Sequence, residues 1–316
     1  MSSLGQRNEA ATLAEDHLRI RRALALTGDP DIHFPELTGS LQNLAALLSE
    51  AGRREESLEP AQEAVDCYTQ LAEKNPAKYS ADLAGSLNSL SICLGENGRS
   101  EEALSPAQEA VCCYRKLVEK NRVEFLPDLA RSMNILANRL HETGRRQEVL
   151  KPIQEAVRYR RELAGKNRAT FLPNLAASLN ILAVGLCETG LRREAIDPAQ
   201  EAVSYYRELA EKDRTAFLPT LARALSGAAS CLNEAGHRDE AVELAHEAMR
   251  YRQELAGDNR DAFLPDLAAS FNNLSGLLRE SGRREKAMDP SYEAVRYYRE
   301  LVEKNAPPSC RTWRRR

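Results

Sequence analysis

The 316 residues predict an all-α chain, an α-solenoid of antiparallel helix pairs, and three observations carry that expectation. Turn glycines recur every 46 residues, at Gly52, Gly98, Gly144, Gly190, Gly236 and Gly282. A second ruler has the same interval: Ala64, Ala110, Ala156, Ala202, Ala248 and Ala294, each preceded by a glutamate. Between the rulers the apolar residues keep helical spacing, as in Leu87, Leu90, Ser91 and Leu94 or Met133, Leu136, Ala137 and Leu140. A fixed period of this length is the signature of stacked supersecondary units that bury their apolar faces against one another.

The elements follow in order. Residues 9–27 read as an amphipathic helix with Leu13, Ile20 and Leu24 on one side and Gly28 beyond its end. With the linker to residue 32 it is expected to cap the array. Six copies then span 33–78, 79–124, 125–170, 171–216, 217–262 and 263–306. In each, a helical first segment comes first; in copies three to six it opens near the proline of "FLP", with Pro127 expected in the first turn, where a missing N–H costs nothing. It ends at the glycine, placed for a left-handed residue just past the helix. A longer second helix follows, its buried side marked in the third copy by Ile153, Ala156, Val157 and Leu163. "KNRATFLP" is read as the loop to the next copy. Pro60, Pro106, Pro152, Pro198 and Pro290 fall about a turn into the second helix and predict a late start or a kink there; copy five has Leu244 instead. Residues 307–316 read as a disordered basic tail containing Arg311, Trp313, Arg314, Arg315 and Arg316.

Composition narrows the function. Charged residues are 29% and the formal net charge is −3, so the basic excess typical of nonspecific nucleic-acid binding is missing. No window approaches 18 uncharged apolar residues and the N-terminus lacks an apolar core for a signal peptide. A cytoplasmic protein without a membrane span is therefore expected. The seven cysteines form no Cys-x-x-Cys spacing, and the histidines at 17, 33, 141, 237 and 246 neighbour no nucleophile or metal motif. Neither an enzyme site nor a metal or cofactor site is expected.

Gly98, Ala103 and Ala110, with Leu87, Leu90 and Leu94 before them, resemble the tetratricopeptide repeat signature. The large aromatics of that signature are leucines here, or Met133 and Phe271. The longer unit, with "SLNSL" and "SFNNL" in its first helix, is similar to kinesin-light-chain-type repeats. The resemblance implies that the first helices line a concave ligand groove. Counting Ala84 as the first position of a unit, the fifth reads Gln42, Asn88, Asn134, Asn180, Ser226 and Asn272, and the thirteenth Glu50, Glu96, Glu142, Glu188, Glu234 and Glu280. On a helical wheel both lie away from the leucines, as do Arg131 and Arg223. An amide offers a donor and an acceptor, so a ladder of them could hold the backbone of an extended ligand. The glutamates either meet a basic ligand or pair with Arg53, Arg99, Arg145 and Arg283 of the following turns. The expected function is a non-enzymatic scaffold or adaptor that binds a peptide or protein segment. Two alternatives stand beside it. One is the regulatory arm of a multidomain nucleotide-hydrolysing or caspase-like protease system, which similar arrays accompany. The other is a self-assembling module, joined through the apolar residues left on the last helix.

Overall fold

A computed structural model describes residues 3–27 and 30–305. The basic tail and Gly28 lie outside the described residues. Thirteen α-helices follow one another there, without a strand among the described residues. A long helix α1 (Ser3–Thr27) precedes the six pairs. The pairs are α2 (Pro30–Glu50) with α3 (Leu58–Lys74), α4 (Pro76–Glu96) with α5 (Ser100–Lys120), and α6 (Arg122–Glu142) with α7 (Arg146–Lys166). They continue as α8 (Arg168–Glu188) with α9 (Ile196–Lys212), α10 (Arg214–Glu234) with α11 (Arg238–Asp258), and α12 (Arg260–Glu280) with α13 (Met288–Asn305). The chain divides into two compact units, Met1–Glu162 and Leu163–Arg316.

Each pair turns on its glycine. Gly52, Gly98, Gly144, Gly190, Gly236 and Gly282 all adopt positive φ, between 72° and 94°, where a Cβ would be strained. The N–H of the next residue reaches back to the helix, as in Arg99 to the Leu94 carbonyl at 2.9 Å. This is the C-terminal closure that the sequence pattern predicts.

The link between copies differs from the expectation. "KNRATFLP" is not a loop: one residue, Asn75, Asn121, Asn167, Asp213 or Asn259, ends one helix and caps the next. Its side-chain oxygen accepts the N–H three residues on, at 3.0–3.3 Å. Where "FLP" occurs the first helix therefore starts three residues before it, and Pro127 is the sixth residue of α6 rather than part of its first turn. The second-helix prolines take the expected late start in three copies only. α3, α9 and α13 begin two residues before Pro60, Pro198 and Pro290, while α5 and α7 run through Pro106 and Pro152.

The core lies between helices, with the ruler alanines at closest approach. Ala64, Ala110, Ala156 and Ala202 are 0% exposed, Ala248 1% and Ala294 3%. Around them, Leu87, Leu90 and Leu94 pack with Val65, Ala103 and Ala110. α1 covers α2 through Ala11, Ala14 and Leu18 against Leu37, Leu41, Leu44 and Leu48. The stripe expected to do this, Leu13, Ile20 and Leu24, faces water instead, because small alanines let the helices approach more closely. One helix, α8, is long and apolar enough by length and composition to cross a membrane. Here it is a core helix, with Leu172, Leu175, Leu179 and Leu186 buried.

Candidate interaction face of the first helices

A first helix in an array has four directions. At 100° per residue, positions four, seven, eight and eleven face the core. Positions three and ten lie on one flank, at about 180–200°, and positions five and twelve on the other, at about 20–40°. Positions two, nine and thirteen point between the flanks, away from the core. The flanks meet the neighbouring first helices, and α2 approaches α4 as α4 approaches α6 and α8 approaches α10.

The fifth-position amides are flank residues, and this corrects the expectation that they stand on a solvated face. Asn88 is 3% exposed and Asn134 8%. Asn88 Nδ2 donates to Ser132 Oγ of the next copy at 2.7 Å, and Ser132 Oγ donates to the Asp128 carbonyl at 2.9 Å. One copy earlier, Gln42 Nε2 donates to Ser86 Oγ at 2.5 Å, and Ser86 Oγ to the Asp82 carbonyl at 3.0 Å. The amides of Met1–Glu162 thus form relays from helix to helix. The serines at position three were the missed signal: Ser86, Ser132, Ser178 and Ser270 recur with the amides.

In Leu163–Arg316 the same register is filled differently. Asn180 is half-buried, and its Oδ1 lies 3.5 Å from where a Cβ on Gly227 would stand. Copy five has Ala224 at position three and Ser226 at position five, and Ser226 Oγ turns back to the Ala222 carbonyl at 3.2 Å. The donor for Ser270 comes instead from α11: Arg252 Nη1 reaches Ser270 Oγ at 2.5 Å and the Asp266 carbonyl at 3.3 Å. Burial pulls this guanidinium below its ordinary value. Asn272, in the last copy, is exposed.

The second flank pair is position twelve against position ten. Arg139 is 9% exposed and lies across Gly95, where a Cβ would overlap its Nη1. Its Nη1 reaches the Ser91 carbonyl at 3.5 Å.

The glutamates face the solvent, all six exposed. Their expected partners go elsewhere. Arg53 pairs with Glu56 and Glu15, Arg99 with Glu102, Arg145 with Glu101, and Arg283 with Asp239. These arginines follow the glycine and point toward the second helix. Glu96 instead accepts from Ser49 Oγ, Glu142 from Arg139 Nη2 at 2.9 Å and Ser100 Oγ at 2.8 Å, Glu234 from Arg192 at 3.4 Å, and Glu280 from Asn233 Nδ2 at 2.6 Å. Arg131 and Arg223, both at position two, share the open direction and are exposed. Half-buried Ile92 and Val184 at position nine lie between them and the glutamates in register.

A second repeating motif lies at the other end of the helices. In copies three to six the arginine that opens the first helix stacks on a tyrosine and pairs with a glutamate of the following second helix. Arg122 lies 5.6 Å from the Tyr159 ring centre and 2.7 Å from Glu162; Arg168 lies 5.2 Å from Tyr205 and 2.7 Å from Glu208. Arg214 with Tyr251 and Glu254, and Arg260 with Tyr297 and Glu300, repeat it. Arg168 and Lys212 hold the Glu208 carboxyl down at about 2. Among the described residues no three metal-ligating side chains cluster.

Comparisons with known proteins agree with this geometry. No curated protein matches the sequence. Among solved structures, BtubC (BKLC) from P. vanneervenii is 18% identical with a TM-score of 0.61, over 81% of this chain and 94% of that one. A putative kinesin light chain with nearly identical TPR-like repeats, from Podospora anserina, is 19% identical with a TM-score of 0.55, over 73% and 100%. The apo form of RapI is 12% identical with a TM-score of 0.62, over 94% of each chain. At these identities the likeness concerns the fold. The tetratricopeptide repeat model matches residues 37–76, 83–123, 129–168 and 267–307, half of the sequence, and the chain belongs to that family.

Proposed function

We propose that this chain is a non-enzymatic interaction scaffold that holds an extended protein segment along the open direction of its first helices. The observation that carries the reading is the thirteenth-position glutamate, present in all six copies and exposed in each. The amides are spent between helices in the first unit, so a ligand there would meet carboxylates and the intervening Arg131 rather than a ladder of amides. Neighbouring first helices sit roughly 10 Å apart. A polyproline II segment rises about 3.1 Å per residue with three residues per turn, so one residue in three would come level with Glu50, Glu96 and Glu142. A proline-rich segment with a lysine or arginine at every third position fits that spacing.

The test is titration of a labelled peptide of that pattern against the protein. Binding should weaken as salt rises and fall at least tenfold in the Glu50→Gln, Glu96→Gln, Glu142→Gln variant. A peptide with glutamine in place of its basic residues that bound equally well would remove the reading.

A second reading, self-association, has its own observation. Val295, Tyr298 and Val302 on α13 are 48%, 43% and 65% exposed, whereas their counterparts Val65, Tyr68 and Ala72 on α3 are at most 9% exposed. Exposed apolar stripes of this kind mark association surfaces. Light scattering should then show a mass that grows with concentration, and a constant monomer mass would exclude it.

A further inference from the structure

Two of the cysteines occupy one of the facing pairs on the flanks of the first helices. Cys187 is position twelve of copy four and Cys231 position ten of copy five. That these positions face each other is shown twice in the molecule. Arg139, at position ten, crosses Gly95, at position twelve, and reaches the position-eight carbonyl of Ser91. Cys231 likewise directs its thiol at the position-eight carbonyl of Ala183, at 3.8 Å and one helical turn before Cys187. The corresponding pairs elsewhere in each unit are Ser49 with Cys93, Gly95 with Arg139 and Asn233 with Leu277, so two thiols meet at this pair alone among them.

The two sulfurs differ in environment. Cys231 is 3% exposed, and Cys187 is half-buried, open to small reagents. Hydrogen bonding between the thiols pulls Cys187 below its ordinary value and pushes Cys231 above it, with Arg192 adding to the first effect and burial to the second. A half-exposed sulfur with thiolate character beside a buried thiol is the arrangement of an attacking and a resolving cysteine. Among the described residues the other thiols lack it. Cys112 and Cys113 are adjacent on α5 and diverge by about 100°. Cys67 and Cys93 are buried, and burial pushes both thiols up.

We propose that Cys187 and Cys231 are a redox modification site, oxidised by a peroxide to a disulfide that staples α8 to α10. The Cys187 thiolate attacks the peroxide, so an S–O bond forms, the O–O bond breaks and hydroxide leaves. The Cys231 thiol then displaces the sulfenic oxygen, so the S–S bond forms and water departs with the thiol proton. Two thiols and one hydrogen peroxide give one disulfide and two waters. The helix spacing suits this, because a disulfide joins Cα atoms roughly 4.4–6.8 Å apart and the two helices already approach within 8 Å.

Hydrogen peroxide on the full chain, followed by intact mass and peptide mapping, tests the proposal. The expected result is a loss of about 2 Da carried by a peptide pair linking Cys187 to Cys231, restored by dithiothreitol. Cys187→Ser and Cys231→Ser should each abolish the linked pair, and Cys231→Ser should leave a trappable sulfenic acid on Cys187. Cys112 serves as the exposed comparison. Oxidation of Cys112 with Cys187 and Cys231 still reduced would overturn the proposal. So would a sulfinic acid on Cys187 in the wild-type protein without the link, or a link between two chains.

Discussion

The two compact units repeat one backbone and stitch it with different chemistry. In Met1–Glu162 a neutral amide reaches from one first helix to a serine of the next, and that serine passes the bond to a carbonyl in its own helix. In Leu163–Arg316 a serine, Ser226, stands where the amide would reach Ser270, and Arg252 supplies the donor from the second helix instead. The difference shows that the register of neighbouring copies is set by the shape of the contact and by small residues on the flanks. Side-chain polarity follows: Asn88 Nδ2 and Arg139 Nη1 find different partners there, while Asn88 Oδ1 and Arg139 Nε are buried without one.

The comparison predicts a ladder of effects. Asn88→Asp should be the most damaging, because it places a carboxylate in a buried site with no cation against it, at a cost of about 3–5 kcal/mol in denaturant unfolding. Asn88→Ala should cost about 1–3 kcal/mol, since it leaves Ser132 short of a donor in a buried site. Arg252→Met should cost less, about 1 kcal/mol, although it removes two hydrogen bonds. Burial already penalises that guanidinium, and Ser270 keeps its own bond to the Asp266 carbonyl at 3.0 Å. An Arg252→Met loss as large as that of Asn88→Ala would mean that the two units are stitched equally tightly.

The exposed rungs come next. The Glu208 carboxyl, held at about 2 in the folded chain, lies below its ordinary 4.5. Its contribution is therefore complete above the unfolded value and is lost as pH falls from about 4.5 through about 2. Unfolding of the wild type and of Glu208→Gln should differ slightly at neutral pH and converge by pH 2, with the difference also shrinking in salt. A difference that persisted in strong acid would assign the effect to packing. The smallest effect belongs to Asn272→Ala. Asn272 has the register of Asn88 but is exposed, and the change should stay within about 0.5 kcal/mol of zero.

Much of the array was legible in the sequence. The glycine and alanine rulers place every helix pair, and the positive φ of all six glycines follows from their position. The helix starts were misread because "FLP" resembles an opening turn, while the stronger signal was the asparagine or aspartate four residues before it. At Asn121 the cap is reinforced by its side-chain amide, whose Nδ2 donates to the Glu124 carboxylate at 2.7 Å. The burial of Asn88 was illegible for a different reason. A wheel drawn for one helix divides it into a core side and a water side, whereas a stacked helix has two further neighbours. The serines opposite the amides carried that information, and it becomes readable only when positions three and five are compared between copies. The glutamate row is exposed in all six copies, since position thirteen points between the flanks, but several of its partners, such as Ser49 for Glu96 and Asn233 for Glu280, come from the preceding copy and are not visible in a single unit.

The central claim is that the amide row joins copy to copy, and a double-mutant cycle on Asn88 and Ser132 tests it most directly. Asn88→Ala, Ser132→Ala and the double variant should be compared with the wild type in denaturant unfolding. A joining bond predicts a coupling of about 0.5–1.5 kcal/mol, the double variant losing less than the sum of the single losses. Additive losses, with no coupling between the two positions, would contradict the account and assign the cost of each change to its own site.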